Sequence, residues 1–170
     1  MKIIDLSKTI KNDMEIYPGD PKVEIKKHSS ISSHGYSTMK ITIGTHTGTH
    51  VDSFNHMHKN EKSIDEIDLS RFFGKSRVLS KSDNFPENIG LFFIEEISVD
   101  FLEKLLKSNP KFVGGNITEG LEKELLRNNI ITYTDLINLD LLGANDFVFY
   151  GFPLKIKDGD GSPVRALAIT

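Results

Sequence analysis

The chain contains no cysteine and no tryptophan. The missing cysteines exclude disulfides, thiolate nucleophiles and cysteine-ligated zinc together, and they fit a reducing compartment. No apolar run approaches the ~18 residues that a membrane span requires. The opening Met1-Lys2-Ile3-Ile4-Asp5-Leu6-Ser7 also lacks the apolar core of a secretory signal. A cytoplasmic protein with no membrane partner is therefore the expectation. An excess of positive charge is missing too. Lys and Arg number 21 against 24 Asp and Glu, so the formal charge is -3 and there is no basic footprint for nucleic acid. There is no fixed-period repeat, no phosphate-cradling glycine loop and no Gly-x-Ser-x-Gly elbow for a serine nucleophile.

What is present fits one domain over residues 1–170, long enough to bury a core, with 38% hydrophobic and 26% charged residues. Lys2 to Leu6 reads as a short strand with Ile3, Ile4 and Leu6 as core candidates. Tyr17-Pro18-Gly19-Asp20-Pro21 is a rigid turn. Val23 to Lys27 and Ser37 to Ile43 alternate with period two, the second placing Met39, Ile41 and Ile43 on one face. Ser63 and Glu66 stand at capping-box spacing. Arg77 to Ser80, Leu91 to Ile94, Phe112-Val113, Ile130 to Tyr133, Phe147 to Tyr150 and Pro163 to Ile169 read as further strands. Two amphipathic helices are predicted. One runs from Ser98, as N-cap, to Lys107, and the other from Thr118 to Asn128. Together these elements predict an α/β fold with a mixed sheet and two main helices.

Four of the six histidines fall between His46 and His58, and the stretch His46 to His56 is the chemical focus of the chain. Gly44 ends a strand, and the ligand-rich segment follows as a loop in which Gly48 allows a tight turn between histidines. His46 and His50 stand four apart and Asp52 two further on. Two imidazoles with a carboxylate form a donor set that suits zinc, and also manganese or iron, with positions left open for water. His56 is then a natural general base or proton shuttle. A pair of histidines at this spacing is by itself equally at home on a solvated loop; Asp52 and His56 are what raise the segment above that. A helical zinc-protease motif is excluded, because Thr47 stands where a glutamate is needed. His28, His34 and His58 read as structural or surface residues.

The stretch resembles the pattern His-x-Gly-Thr-His-x-Asp-x-Pro-x-His of the cyclase-like metal hydrolases, whose best-known members are bacterial kynurenine formamidases. It departs from that pattern only at Phe54. Ile4-Asp5-Leu6-Ser7 with Tyr17-Pro18-Gly19-Asp20-Pro21 resembles the family's opening. Phe152-Pro153-Leu154-Lys155-Ile156 and Asp160-Gly161-Ser162-Pro163-Val164-Arg165-Ala166 resemble its close. The resemblance implies a swivelling β/β/α fold in homodimers or homotetramers. It also implies hydrolysis of a carbon–nitrogen bond in a small molecule, N-formyl-L-kynurenine in the best-known case. It assigns His46, His50 and Asp52 to a divalent metal, zinc first and manganese second, with Asp52 a candidate bridge between two metals. It makes His56 the catalytic histidine and Tyr17 a residue of the substrate pocket.

A second histidine-and-glutamate pair, twelve residues apart, is also implied. Counting back from Leu136-Ile137-Asn138-Leu139 places Glu122 and Thr134 at those positions. Glu122 remains a candidate ligand and Thr134 a candidate substrate contact. Asp135, one residue further, would point to the opposite face of a strand. The chain is short for the family, with the missing length between Lys81 and Lys111. The alternative is a scaffold that has lost catalysis and binds a small ligand or a protein. The two readings divide on whether Glu119, Glu122 or Asp135 faces the His46–Asp52 cluster.

Overall fold

The computed structural model describes all 170 residues, which form eleven strands. They are β1 (Ile3–Asp5), β2 (Glu24–Ser29), β3 (Thr38–Thr42), β4 (His50–Asp52), β5 (Phe73–Leu79), β6 (Gly90–Ile97), β7 (Phe112–Ile117), β8 (Ile131–Thr134), β9 (Phe147–Tyr150), β10 (Gly161–Pro163) and β11 (Leu167–Ile169). The helices are a single turn α1 (Ile31–His34), α2 (Leu102–Ser108) and α3 (Glu119–Arg127). Nine strands make one mixed sheet in the order β1-β11-β9-β5-β6-β7-β8-β4-β10, and β2 pairs with β3 apart from it. Strands β5 to β8 run parallel, and the pairings on either side of them are antiparallel. The expected α/β architecture, with a mixed sheet and two main helices, is the one observed.

The central strands are apolar without alternation because both faces are covered. In β6, Leu91 and Phe93 pack with Leu105, Val113, Leu121 and Leu125 under helices α2 and α3. Phe92 between them joins Phe112, Tyr133 and Phe149 on the other face. Helix α3 begins at Thr118, whose side chain accepts the Leu121 N–H. Its Leu121, Leu125 and Leu126 are buried, at the i, i+4, i+5 spacing of one helical stripe. The capping box expected at Ser63 and Glu66 is formed on a 3-10 turn, Ile64–Glu66.

Three expectations are corrected. Ile3 is exposed, and only Ile4 and Leu6 enter the core, since neighbouring residues of β1 point to opposite faces. Met39 and Ile41 share a face of β3 as the alternation indicates, and that face is exposed on the separate β2–β3 pair. The helix from Ser98 opens with a 3-10 turn, Val99–Phe101, and Ser98 makes no side-chain cap. The closing strand read from Pro163 to Ile169 is two strands: β10 at one edge of the sheet beside β4, and β11 at the other side between β1 and β9. Pro163 has no N–H to extend the ladder, and the next residue, Val164, donates its N–H to Thr49 instead.

Candidate active site

The segment from His46 to His56 is not one loop. His46 lies in the turn ahead of β4, and Gly48 takes a left-handed φ of 65° between the two histidines. His50, Val51 and Asp52 then form β4. The period of two sends Val51 into the core and leaves His50 and Asp52 together on the opposite face. Across the ladder from them stand Thr134 and Thr132 of β8. Phe54 opens a 3-10 turn, Phe54–His56, and is buried in the core. At the position where the resembled pattern has proline, this phenylalanine anchors the turn that carries His56.

Two histidines converge on one carboxylate oxygen. His46 Nδ1 is 2.8 Å and His50 Nε2 3.4 Å from Asp52 Oδ1. The Nδ1–H of His50 donates to the Gly48 carbonyl at 2.6 Å, so Nε2 is the nitrogen that gives up its proton and offers a lone pair when a metal binds. On its other side, His46 Nε2 lies 3.1 Å from Asp160 Oδ2. The same oxygen is 3.8 Å from His56 Nδ1. The His46 and His56 rings lie with centroids 4.0 Å apart. Two three-donor groups result, His46–His50–Asp52 and His46–His56–Asp160, each with donor atoms within 4.8 Å of one another. Nitrogen and oxygen donors at that spacing fit a divalent cation of the zinc or manganese type.

The charges follow from this packing. Burial would depress His46, but the hydrogen bonds and charges of Asp52 and Asp160 outweigh it and raise its pKa to about 9. Asp52 is held well below the usual carboxylate range; burial opposes this, and the His50 charge and the His46 bond overcome it. Burial and the charge of His46 push His56 below the ordinary histidine value, which favours its neutral, proton-accepting form. Glu122 is raised to about 9 by burial and by the Asp52 charge.

Of the three acids that divide the two readings, Glu122 is the one that reaches the cluster. The Thr132 hydroxyl lies 3.0 Å from Glu122 Oε1 and 3.1 Å from Asp52 Oδ2. Its single proton serves one of them, and the proton retained by Glu122 serves the contact with Asp52. Glu122 thus stands behind Asp52 as a neutral hydrogen-bond partner, outside both three-donor groups. Glu119 instead accepts from the Tyr17 hydroxyl at 2.7 Å. Asp135 pairs with Lys8 at 2.7 Å. Its left-handed φ of 58° turns the chain out of β8, so it lines the cavity rather than facing away as a continuing strand would have placed it.

These groups border a cavity of about 580 Å3. Tyr17 and Pro18 line one side, His46, His50 and His56 another, and Thr134 places its hydroxyl 2.9 Å from His50 Nε2. No residue between Lys81 and Lys111 lines it. His28 and His34 lie elsewhere, and His58 Nε2 pairs with the Lys123 carbonyl at 2.7 Å. Asp160 is the site residue not singled out from the sequence. Its signal was its place at the head of the closing motif Asp160 to Ala166.

The family model "Putative cyclase" matches residues 4–113. An uncharacterized protein of Methanocaldococcus jannaschii is 31% identical over 200 residues, spanning 99% of this chain and 100% of its own length. A kynurenine formamidase of Bacillus thuringiensis subsp. konkukian is 25% identical over 202 residues, spanning 96% of this chain and 95% of its own. Both alignments are longer than the 170-residue chain, so these relatives carry additional residues within the shared span. Among solved structures, isatin hydrolase A from Labrenzia aggregata superposes with a TM-score of 0.85 at 22% identity, covering 99% of this chain and 93% of that one, a likeness of fold. With the model matching well over half of its length and a relative above 30% identity along nearly all of it, the chain belongs to the Cyclase family.

Proposed function

We propose that this protein is a metal-dependent hydrolase of carbon–nitrogen bonds in small amides, of arylformamidase type. The observation that carries the reading is the convergence of His46, His50 and Asp52, with His56 alongside, on the wall of a cavity large enough for a small aromatic amide. The similarity to kynurenine formamidases supports the choice of bond.

His46, His50 and Asp52 would hold the metal, zinc or manganese. When bound, such a metal lowers the pKa of a coordinated water and polarises a carbonyl. The chain's own residues do the rest. His56, neutral at pH 7, accepts a proton at the cavity wall and returns it to the leaving nitrogen. Thr132 and Glu122 brace Asp52 from behind and keep its carboxylate aimed at the two imidazoles. Tyr17, held by Glu119, closes one side of the cavity over the substrate. Lys8 is the one lysine or arginine on the lining, and Asp135 already pairs with it.

A ligand-binding scaffold without turnover is the second reading. It draws on Thr134 and on the neutral Glu122, which occupy the positions of the implied second metal pair. Metal analysis of protein purified without added metal, followed by assays with N-formyl-L-kynurenine, isatin and other small amides, separates the two. The hydrolase reading expects a divalent metal in the wild type and loss of metal and turnover in His50→Ala. Metal-free wild-type protein, or undiminished turnover in His50→Ala, would overturn it. Metal and ligand binding with no turnover of any amide would favour the scaffold.

A further inference from the structure

We propose that Asp160 is the positioning residue of the metal centre: its carboxylate holds His46 with the proton on Nε2, so that Nδ1 turns its lone pair to the edge shared by Asp52 and His50. The inference rests on the metal-binding reading above and assigns a role to a residue outside the ligand set.

His46 is the member common to both three-donor groups. Its two ring nitrogens face two different carboxylates, Nδ1 toward Asp52 at 2.8 Å and Nε2 toward Asp160 at 3.1 Å. A neutral imidazole offers a lone pair at one nitrogen and an N–H at the other. The cation can therefore sit at one edge of this ring, and the opposite edge must donate. Three features place the cation at the Nδ1 edge. His50 presents Nε2 to the same Asp52 oxygen, with its tautomer set by the Gly48 carbonyl. Asp52 is 1% exposed, so its charge acts with little screening by water. The Asp160 side chain is 46% exposed and solvated. A carboxylate that accepts the second N–H of a ligating histidine fixes its tautomer and orientation and raises its basicity. Asp160 is placed for that task.

Asp160 is also anchored independently of any metal. Its carbonyl accepts the Ser53 N–H at 2.9 Å. Gly161, the next residue, begins β10 in register with Asp52. The distance of 3.8 Å from the same Asp160 oxygen to His56 Nδ1 means that one carboxylate oxygen spans the ligand histidine and the candidate proton carrier. Loss of Asp160 would thus release two neighbouring rings.

The test uses wild type, Asp160→Ala and Asp160→Asn with zinc as the probe. Zinc affinity is measured by chelator competition, and the protonated nitrogen of His46 by long-range 1H–15N NMR of the zinc-loaded protein. In the wild type the expected result is zinc at His46 Nδ1 and a proton on Nε2. In Asp160→Ala, affinity falls by roughly 10- to 100-fold and the single-tautomer signature is lost. Asp160→Asn, whose amide oxygen still accepts, recovers part of the loss. Circular dichroism of the metal-free variants checks the fold, and if Asp160→Ala does not fold, Asp160→Asn and the wild-type spectrum decide. Zinc on His46 Nε2, or a variant with wild-type affinity and tautomer, would overturn the proposal and leave the hydrolase reading intact. A wild type that binds no zinc would remove both.

Discussion

The ring of His46 occupies the space where Gly161 has no side chain. A Cβ at Gly161 would lie 2.6 Å from His46 Cε1 and 2.9 Å from the Val51 carbonyl. Gly161 stands opposite Asp52 in the β4–β10 ladder, so the glycine, the carboxylate and the imidazole share one face of the sheet. Gly161→Ala should therefore displace His46 or part β10 from β4. A loss of about 1–3 kcal/mol in stability is expected, with weaker zinc binding. Thermal unfolding and chelator competition check this, and a variant equal to wild type in both would contradict the assigned packing.

Metal uptake should release protons. In the metal-free protein His46 holds its proton up to about pH 9, and a metal can bind only the deprotonated nitrogen. At pH 7 calorimetry in two buffers of different ionisation enthalpy should report about one proton released per metal bound. Affinity should rise with pH until about 9. The stability of the metal-free protein follows the same group. Its folded pKa exceeds the ordinary value of 6.5, so the His46 contribution is complete below that value and is lost as pH rises through about 9.

Glu122→Gln and Glu122→Ala should differ. A neutral carboxyl is mimicked by an amide, so Glu122→Gln should match the wild type to within about 1 kcal/mol at pH 4.5 and be the more stable of the two at pH 7, where the wild type must take up a proton to fold. Glu122→Ala leaves Thr132 and Asp52 short of a partner and should cost about 1–3 kcal/mol. The Glu122 pKa is raised from 4.5 to about 9 on folding, so its contribution is complete below 4.5 and is lost as pH rises through about 9. Glu122→Gln should lack that component of the pH profile. Equal destabilisation by both variants would mean that the carboxylate form is the one required.

His56→Gln should retain metal and fold, since His56 belongs to neither the His46–His50–Asp52 group nor the core. Its turnover number should fall by roughly 10²- to 10⁴-fold, the usual span for a general acid–base group. Metal content near wild type with near-normal turnover would remove His56 from the proton path.

Tyr17→Phe deletes the hydroxyl that donates to Glu119 across the cavity. Tyr17 is 62% exposed, so folding should be unaffected. The expected change is a several-fold higher KM with kcat near wild type, read from steady-state kinetics on whichever amide is turned over. A fall in kcat alone would move Tyr17 from substrate holding to the chemistry.

The residues legible from the amino-acid order were those whose geometry is local. His50 and Asp52 share a face because a strand has a period of two, and Gly48 marks the turn that brings His46 beside them. The amphipathic stripe and Thr118 cap of α3 were legible for the same reason. For Met39 and Ile41 the sequence told less, because period-two alternation tells which residues share a face and not whether anything covers it. Asp135 misled, since one left-handed residue cancels the strand geometry on which its orientation was reasoned.

By itself the sequence determined a mixed α/β chain without thiol chemistry and with a histidine–aspartate cluster near its middle. The tertiary structure alone decided that Asp160, 114 residues from His46, hydrogen-bonds that ring, and that Glu122 is a neutral support for Asp52. Spacing along a chain sets which side chains share a strand or helix face. Protonation depends on burial and on charges brought together by strand order, and these exist only once β4 lies between β8 and β10.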